Sequence, residues 1–369
     1  MTDRMLRVLH VFGRLLRGGA ELRTVELAES FGWERVRSDF LVLSGLDGTL
    51  DDRVRAAGGE VVKCPLNVRF PTSLFRLLRS RDYDVVHSHV HYFSGVVLAI
   101  ARLARTPVRV AHFRSAIAND RPDAPWRRAQ LAACRWLLHR YATDILAVGE
   151  GAMAEAWRSD WRTDPRCRVV YSGIPLERLH GAGAACRRAP TIVNVGSVQP
   201  LKNQLRLVGV LQRCVREIPD AELLLVGREI GDYGQQIRRA AGAAGLAQQV
   251  HLVGEVDEPA AWIAGASLMV IPSLWEGLPG AALEACALGI PVLAADLPGT
   301  RELSRHFPQL TTMAPGAGDE AWAAAAVRLI RRGTASRRDA GEAFARSPFT
   351  IARSRETHYE IWSRSRATA

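Results

Sequence analysis

The stretch TIVNVGSVQPLKNQ, residues 191–204, reads as a strand, a glycine stop, a short loop and the start of a helix. Thr191–Val195 is apolar and rich in β-branched residues, Gly196 ends it, and Leu201–Arg216 carries helix-like spacing. Working outward, the same unit recurs. Glu222–Val226, Val250–Val253, Leu268–Ile271 and Pro291–Ala294 are strand-like, with helical patterns at Tyr233–Ala244 and Gly280–Ala287 between them. Toward the N-terminus, Arg7–Phe12, Ser38–Leu43, Val61–Cys64, Val85–His89, Val108–His112 and Asp144–Val148 form a second series, separated by helical stretches such as Ala20–Phe31 and Arg127–His139. Strands alternating with helices predict parallel sheets with crossover helices. The chain is thus expected to be α/β, with two consecutive doubly wound units. The expected boundaries are 1–175, 176–345 and a final helical segment 346–369 that packs back on the first unit. Ser172–Arg188, with Pro175, is the natural linker. Ligands in such sheets bind at the carboxyl ends of strands, so a cleft between the units is the expected site.

Composition narrows the class. A chain of 369 residues, 48% apolar and 24% charged, is long enough for two cores and too apolar for disorder. The apolar runs near Gly95–Ile100 and Ala266–Ile271 are closed by Arg102 and Pro272, well short of a membrane span. The N-terminal apolar run is strand-length with Arg14 and Arg17 behind it, unlike a secretory signal, so a cytoplasmic location is expected. Cys64, Cys134, Cys167, Cys186, Cys214 and Cys286 form no C-x-x-C pair and read as buried free thiols. The net charge of +11 is concentrated in the first half: residues 1–180 carry 28 basic and 20 acidic side chains, residues 181–369 carry 21 and 18. Nearly all the basic residues are arginine, because Lys63 and Lys202 are the only lysines. A basic first half suits anionic partners, either phosphates or a membrane surface.

Three strand-to-helix junctions carry candidate chemistry. Arg17-Gly18-Gly19-Ala20-Glu21 follows the first strand and offers close backbone approach and the N–H groups of a helix start. In Gly196-Ser197-Val198-Gln199-Pro200-Leu201-Lys202, an ammonium near a helix start can neutralise phosphate oxygens. The strongest junction runs from Ser273 to Ala285. Glu276 lies in its loop and Glu284 about one turn into its helix, with Gly277, Leu278, Gly280 and Ala281 supplying N–H groups for anions or hydroxyls. His112 ends one strand and His89 and His91 end the neighbouring one, with Arg114 just beyond. Imidazoles at adjacent strand ends suit an active-site edge. Asp82-Tyr83-Asp84 precedes a buried strand and reads as structural, and no grouping in the sequence suggests a metal.

Taken together, Glu276-x7-Glu284, the Gly18-Gly19-Ala20-Glu21 loop, the Lys202 loop and Asp84-Val85-Val86-His87-Ser88-His89 resemble the retaining glycosyltransferases of family 4 (group 1). These have the GT-B fold of two Rossmann-like domains facing a cleft, and the closest likeness is to capsule and exopolysaccharide enzymes. The resemblance covers essentially the whole chain. It implies that the second domain binds a nucleoside-diphosphate sugar, such as a UDP-sugar, and the first an acceptor. It also implies transfer of a hexose or N-acetylhexosamine to an acceptor hydroxyl by front-face attack, with neither cofactor nor metal. Glu284 would hold the ribose, Glu276 would lie at the donor sugar, Gly19 and Lys202 would meet the diphosphate, and Val253 and Gly254 would frame the base. His112 would be the acceptor-side active-site histidine. The acceptor would be a sugar, a lipid-linked sugar or a small molecule. Where the family usually has arginine five residues before the lysine, this chain has Ser197, and the missing charge would come from Arg14, Arg17 or Arg206. The linker phrase Ser172-Gly173-Ile174-Pro175 likewise departs from the usual Asn-Gly-Ile-Asp.

Two other functions fit parts of the sequence. A nucleotide-sugar epimerase of the same fold is disfavoured by the Glu276–Glu284 loop. A basic nucleic-acid-binding protein would need a basic stripe with stacking aromatics, which Trp126, Trp136 and nearby arginines imitate. The segment Arg121–Arg140 also predicts a helix with partly separated basic and apolar faces, suited to peripheral contact with the inner, anionic face of a membrane. No nucleic acid partner is expected.

Overall fold

The computed structural model describes residues 5–32, 34–114, 124–181 and 189–364. Arg121 and residues 182–188 of the expected linker, Cys186 among them, lie outside these ranges. The chain divides into two compact units, Met1–Gly173 with Ile351–Ala369, and Ile174–Thr350.

The first unit holds seven described strands: β1 (Leu6–Phe12), β2 (Val36–Val42), β3 (Val61–Lys63), β4 (Val85–Ser88), β5 (Val108–Phe113), β6 (Asp144–Ala147) and β7 (Cys167–Val169). All pair in parallel, in the order β3-β2-β1-β4-β5-β6-β7. The second unit repeats the plan with β8 (Thr191–Val195), β9 (Glu222–Val226), β10 (Val250–Gly254), β11 (Leu268–Ile271), β12 (Val292–Ala295) and β13 (Leu310–Met313), ordered β10-β9-β8-β11-β12-β13. Both are doubly wound. In each, the strand order reverses beside the unit's first strand, at β1/β4 and at β8/β11. There the crossovers leave in opposite directions and open a crevice at the strand ends.

The strands are nearly continuous apolar runs because helices cover both faces. In the first unit Leu6, Val8, Val85, Val108, Val110 and Leu146 pack on one face under Leu27, Phe31, Ile361 and Trp362. The last two belong to the helix Ile351–Trp362, which the chain contributes after completing the second unit. That helix is also fixed by Arg355 to the Ser30 carbonyl at 3.0 Å, by Arg364 to Asp144 at 2.8 Å, and by Arg35 stacked over Tyr359. In the second unit Trp322, Ala325, Ala326 and Leu329 form the buried stripe of helix Asp319–Arg332. Acidic residues in its first turn and arginines in its last complement the helix dipole.

One expectation needs correcting, and two strands were not expected. Leu201–Arg216 is not one helix: a short turn, Pro200–Lys202, ends at Asn203 in the left-handed conformation (φ 55°), and the α-helix runs only over Leu205–Cys214. Asparagine tolerates that conformation. Strands β7 and β13 carry no clear apolar signal, because they are short sheet edges with half-exposed residues.

Candidate active site

The reversal point of the second sheet gathers several polar side chains and three bare strand ends. Gly196 ends β8 with φ +150°. Gly227, just past β9, also has φ +150°, and a Cβ there would run into the Gly196 carbonyl. Gly254 ends β10 with φ +84°, and its carbonyl accepts from Gly227 N at 2.8 Å. Three strand ends therefore approach at bare backbone. Gly227 was not among the sequence candidates; its only signal was a glycine directly after an apolar run.

The loops after β8 and β11 are laced together. Leu274 N donates to the Leu201 carbonyl at 2.9 Å, and the Asn203 carboxamide donates to the Pro272 carbonyl at 3.2 Å. Gln204, fully buried, donates to the Ser197 carbonyl at 2.9 Å and accepts from Gln199 N at 3.3 Å. These ties bring Lys202 Nζ to 2.6 Å from Glu276 Oε1, the same oxygen that accepts from Ser273 Oγ at 2.7 Å. Asn203, Gln204 and Ser273 were missed by sequence reasoning, although a fully buried glutamine is the kind of group that must be holding something. Glu284 sits on helix Gly280–Ala287 with 6% exposure. Pro279 precedes the helix, and its carbonyl accepts from Ala282 and Leu283, so the Gly280 and Ala281 amides come before the first intrahelical bonds. The Gly277–Leu278 backbone passes close against Gly299, where a Cβ would strike the Gly277 carbonyl. Val253 lies one residue before Gly254 in β10.

Of the substitutes considered for the missing arginine at Ser197, Arg206 is committed elsewhere. It binds Asp319 at 3.1 Å and the Pro315 carbonyl at 2.6 Å, and stacks over Trp322. Arg14 donates to the Asp47 carbonyl at 2.8 Å. Arg228 was not considered from sequence. It is exposed immediately after Gly227, and its carbonyl accepts from Val198 N at 2.9 Å, next to Ser197.

In the first unit, Gly18 N is taken by the Leu16 carbonyl at 2.7 Å, and helix Gly19–Phe31 begins at Gly19. The Glu21 carboxyl folds back over Gly18, where any Cβ would meet it. Burial raises its pKa, with the Arg114 guanidinium opposing the shift. Burial likewise pulls Arg114 down to about 10, with Glu21 holding it up. Arg114 donates to the Ala20 carbonyl at 3.3 Å.

The histidines are arranged differently from the sequence expectation. His91 begins a separate turn with φ 51°; its ring lies against Tyr92 and Phe113, and its Nδ1 accepts from Tyr92 N at 2.9 Å. His89 stacks on Phe12 and pairs with His10 at 3.3 Å. His112, expected at an open strand end, is 1% exposed and faces His87 at 3.0 Å. Two groups of these imidazoles lie close together. His10, His87 and His89, and separately His87, His112 and His358, each bring ligand nitrogens within 4.8 Å of one another. Strand alternation gathers the first four on one face, and the fifth arrives on the closing helix. Asp82-Tyr83-Asp84 is structural: Asp84 accepts from Arg7 N at 2.9 Å and Tyr83 donates to Asp39 at 2.9 Å.

The helix expected within Arg121–Arg140 runs over Pro125–Tyr141, and only Cys134 and Leu138 are buried. Trp126 and Trp136 are 66% and 61% exposed. Arg135 turns inward, over Tyr92 and Trp157, and donates to the Trp157 carbonyl at 2.9 Å.

Two doubly wound units, with loops of this kind at a sheet reversal, define a Rossmann-like architecture. The comparisons with known proteins say which. The pattern of the group 1 glycosyl transferases matches residues 189–332, and that of Glycosyltransferase Family 4 matches residues 17–178. The capsular polysaccharide biosynthesis glycosyltransferase CapH of Staphylococcus aureus is 27% identical over 306 residues, covering 82% of this chain and 85% of the relative. Phosphatidyl-myo-inositol mannosyltransferase of Mycobacterium leprae is 25% identical over 330 residues, covering 85% and 84%. The fold is also that of Anabaena HepE, solved with UDP and with UDP-glucose (TM-score 0.79, 19% identity, covering 97% of this chain and 100% of that one for the UDP-glucose complex). This chain belongs to the family 4 (group 1) glycosyltransferases and has the GT-B fold.

Proposed function

We propose that the chain is a retaining, metal-independent transferase that moves a hexose or N-acetylhexosamine from a UDP-sugar or another nucleoside-diphosphate sugar to an acceptor hydroxyl in polysaccharide or glycoconjugate synthesis. The observation that carries this reading is the Lys202–Glu276 pair at the β8/β11 reversal. There an ammonium and a carboxylate are pre-positioned on laced loops among glycine-bordered strand ends, which is what a diphosphate with a sugar attached requires. Lys202 neutralises the leaving diphosphate, the Gly280 and Ala281 amides add donors, Glu284 accepts the ribose hydroxyls, and Glu276 orients the sugar. Arg228 supplies the charge that Ser197 lacks. The base rests against the backbone of Val253 and Gly254, and the Gly19 helix start is a further phosphate-binding element. The complexes of HepE with UDP and UDP-glucose support a nucleotide-sugar donor.

On the acceptor side we place His89, His91 and Arg114. His112, buried behind them, is a positioning residue. A lipid-linked acceptor is favoured by the helix Pro125–Tyr141, whose exposed Trp126 and Trp136 accompany Arg127 and Arg128 on a basic unit. No helix among the described residues is long and apolar enough to cross a membrane, so any membrane contact there would be peripheral.

Incubation with a panel of nucleotide sugars, with and without chelator, tests the reading. It expects release of one nucleoside diphosphate and an anomeric configuration unchanged in the product. Inversion, or a product that is an isomer of the donor itself, would replace it with another mechanism or with epimerisation. Co-sedimentation with vesicles should rise with anionic lipid, fall with salt, and weaken when Arg127 and Arg128 become glutamate. Failure to sediment points to a small soluble acceptor.

A further inference from the structure

Buried imidazoles ordinarily find hydrogen-bond partners, and those that do not ask for an explanation. His10 on β1 and His87 on β4 are register partners in adjacent parallel strands. His89 and His112 continue the same face one step toward the carboxyl end, since alternate residues of a strand share a side. His358, on helix Ile351–Trp362, covers them: its ring centroid lies 5.6 Å from that of His87 and 6.0 Å from that of His112. His87 Nε2 and His112 Nδ1 face each other at 3.0 Å. His358 Nδ1 lies 2.7 Å from the Ser354 carbonyl oxygen, while its Nε2 is buried without a partner among the described residues. A carbonyl acceptor at Nδ1 fixes the proton there and leaves the Nε2 lone pair exposed to the cluster. Histidines that ligate metals are commonly oriented in this way.

We propose that His87, His112 and His358 form a binding site for a divalent transition-metal ion, with zinc the ion best suited to three neutral imidazoles. One nitrogen of each lies within 4.8 Å of the others. A tetrahedral ion with nitrogens at about 2.0–2.1 Å spaces its ligands roughly 3.3 Å apart, so the His87–His112 pair already stands near that separation and the third ligand has only a side-chain adjustment to make. Imidazole donors without carboxylates or thiolates select late first-row ions over magnesium or calcium. Arg114 is a neighbouring cation, and the Glu21 carboxylate beside it offsets that charge.

The other trio, His10, His87 and His89, is the weaker candidate. Among the described residues no carbonyl orients any of its imidazoles, whereas the Ser354 carbonyl orients His358. Nothing in the donor chemistry assigned to Lys202 and Glu276 uses this ion. Its consequence is structural, since it clips the closing helix to β4 and β5 across a long loop of chain, where a cross-link restricts the unfolded state most.

The test uses the full-length protein without an affinity tag, stripped by chelator and dialysed against micromolar zinc. The expected result is about one zinc per chain by elemental analysis, and a rise in melting temperature that chelator reverses. Replacing zinc by cobalt should give the intense visible bands of a tetrahedral site. His358→Gln should weaken zinc binding by at least about tenfold to a hundredfold, and His89→Gln should retain it. No stoichiometric zinc, or only the faint bands of octahedral cobalt, overturns the proposal. So does loss of the metal in His89→Gln with retention in His358→Gln. The wild-type cobalt spectrum decides the matter even if a variant fails to fold.

Discussion

The Lys202 ammonium is engaged within the protein, because Glu276 Oε1 lies 2.6 Å away and Ser273 holds that oxygen in place. A diphosphate must draw the ammonium off a carboxylate and approach that carboxylate's negative charge as well. At 2.6 Å the gross attraction of the pair is ~6 kcal/mol for an effective dielectric near 20. Desolvation cancels much of it. With the side chains 25% and 11% exposed, a net charge-assisted bond of about 1.5 kcal/mol, the low end of the usual range, is the appropriate figure. Glu276→Gln keeps the shape of the side chain and an acceptor for Ser273 while removing the charge. The variant should therefore bind nucleoside diphosphate roughly tenfold more tightly, since ~1.4 kcal/mol is a factor of ten. The same loss should lower the melting temperature by roughly 2–4 °C per kcal/mol for a unit of this size. Sugar transfer should slow, because the group proposed to orient the sugar has changed. Calorimetric titration of UDP and GDP into wild type and variant measures the first effect, and nucleoside diphosphate release with acceptor measures the last. Adding Lys202→Met to the variant should abolish the gain. Unchanged or weaker diphosphate binding by folded Glu276→Gln refutes the competition on which the reasoning depends.

Three further outcomes are expected. Glu284→Ala removes a carboxylate assigned to two ribose hydroxyls and should raise the nucleotide dissociation constant at least about tenfold, read by the same titration. Trp362→Ala empties a fully buried site against Phe31 and His10 and should cost about 3–5 kcal/mol of first-unit stability, measured by denaturant unfolding. The described cysteines Cys64, Cys134, Cys167, Cys214 and Cys286 are buried, and burial pushes Cys167 and Cys214 up to about 11, so a thiol reagent at pH 8 should label these five only after unfolding.

The fold was legible where the physics is local. Thr191–Val195, Glu222–Val226 and Leu268–Ile271 are apolar runs cut by glycine, serine or proline, and the structure begins and ends them at those residues. Cys167–Val169 and Leu310–Met313 were not legible, because an edge strand is defined by the neighbour it pairs with rather than by its own side chains. Lys202, Glu276 and Glu284 could be named from their junctions, but the contact between Lys202 and Glu276 could not. It depends on Asn203 turning left-handed and reaching a proline carbonyl far along the chain. The imidazole cluster was half visible. His89 and His112 stood at neighbouring strand ends, whereas His10 needed the register of β1 on β4, and His358 needed the return of the last helix.

That return has a consequence for biosynthesis. The second unit, Ile174–Thr350, is continuous in sequence, and Ile174 and Thr350 bridge at its two ends. The first unit is not, since its core closes only when Ile361 and Trp362 arrive. On the ribosome, domains usually complete themselves in the order in which they are made. Here the order inverts: the half begun first finishes last. Until then Leu6, Val8, Val108 and the buried histidines wait under an uncovered sheet face while the other half is synthesised and folds. A chain ending at Thr350 would therefore keep the second unit whole and leave the older half open, a ready target for chaperones and proteases.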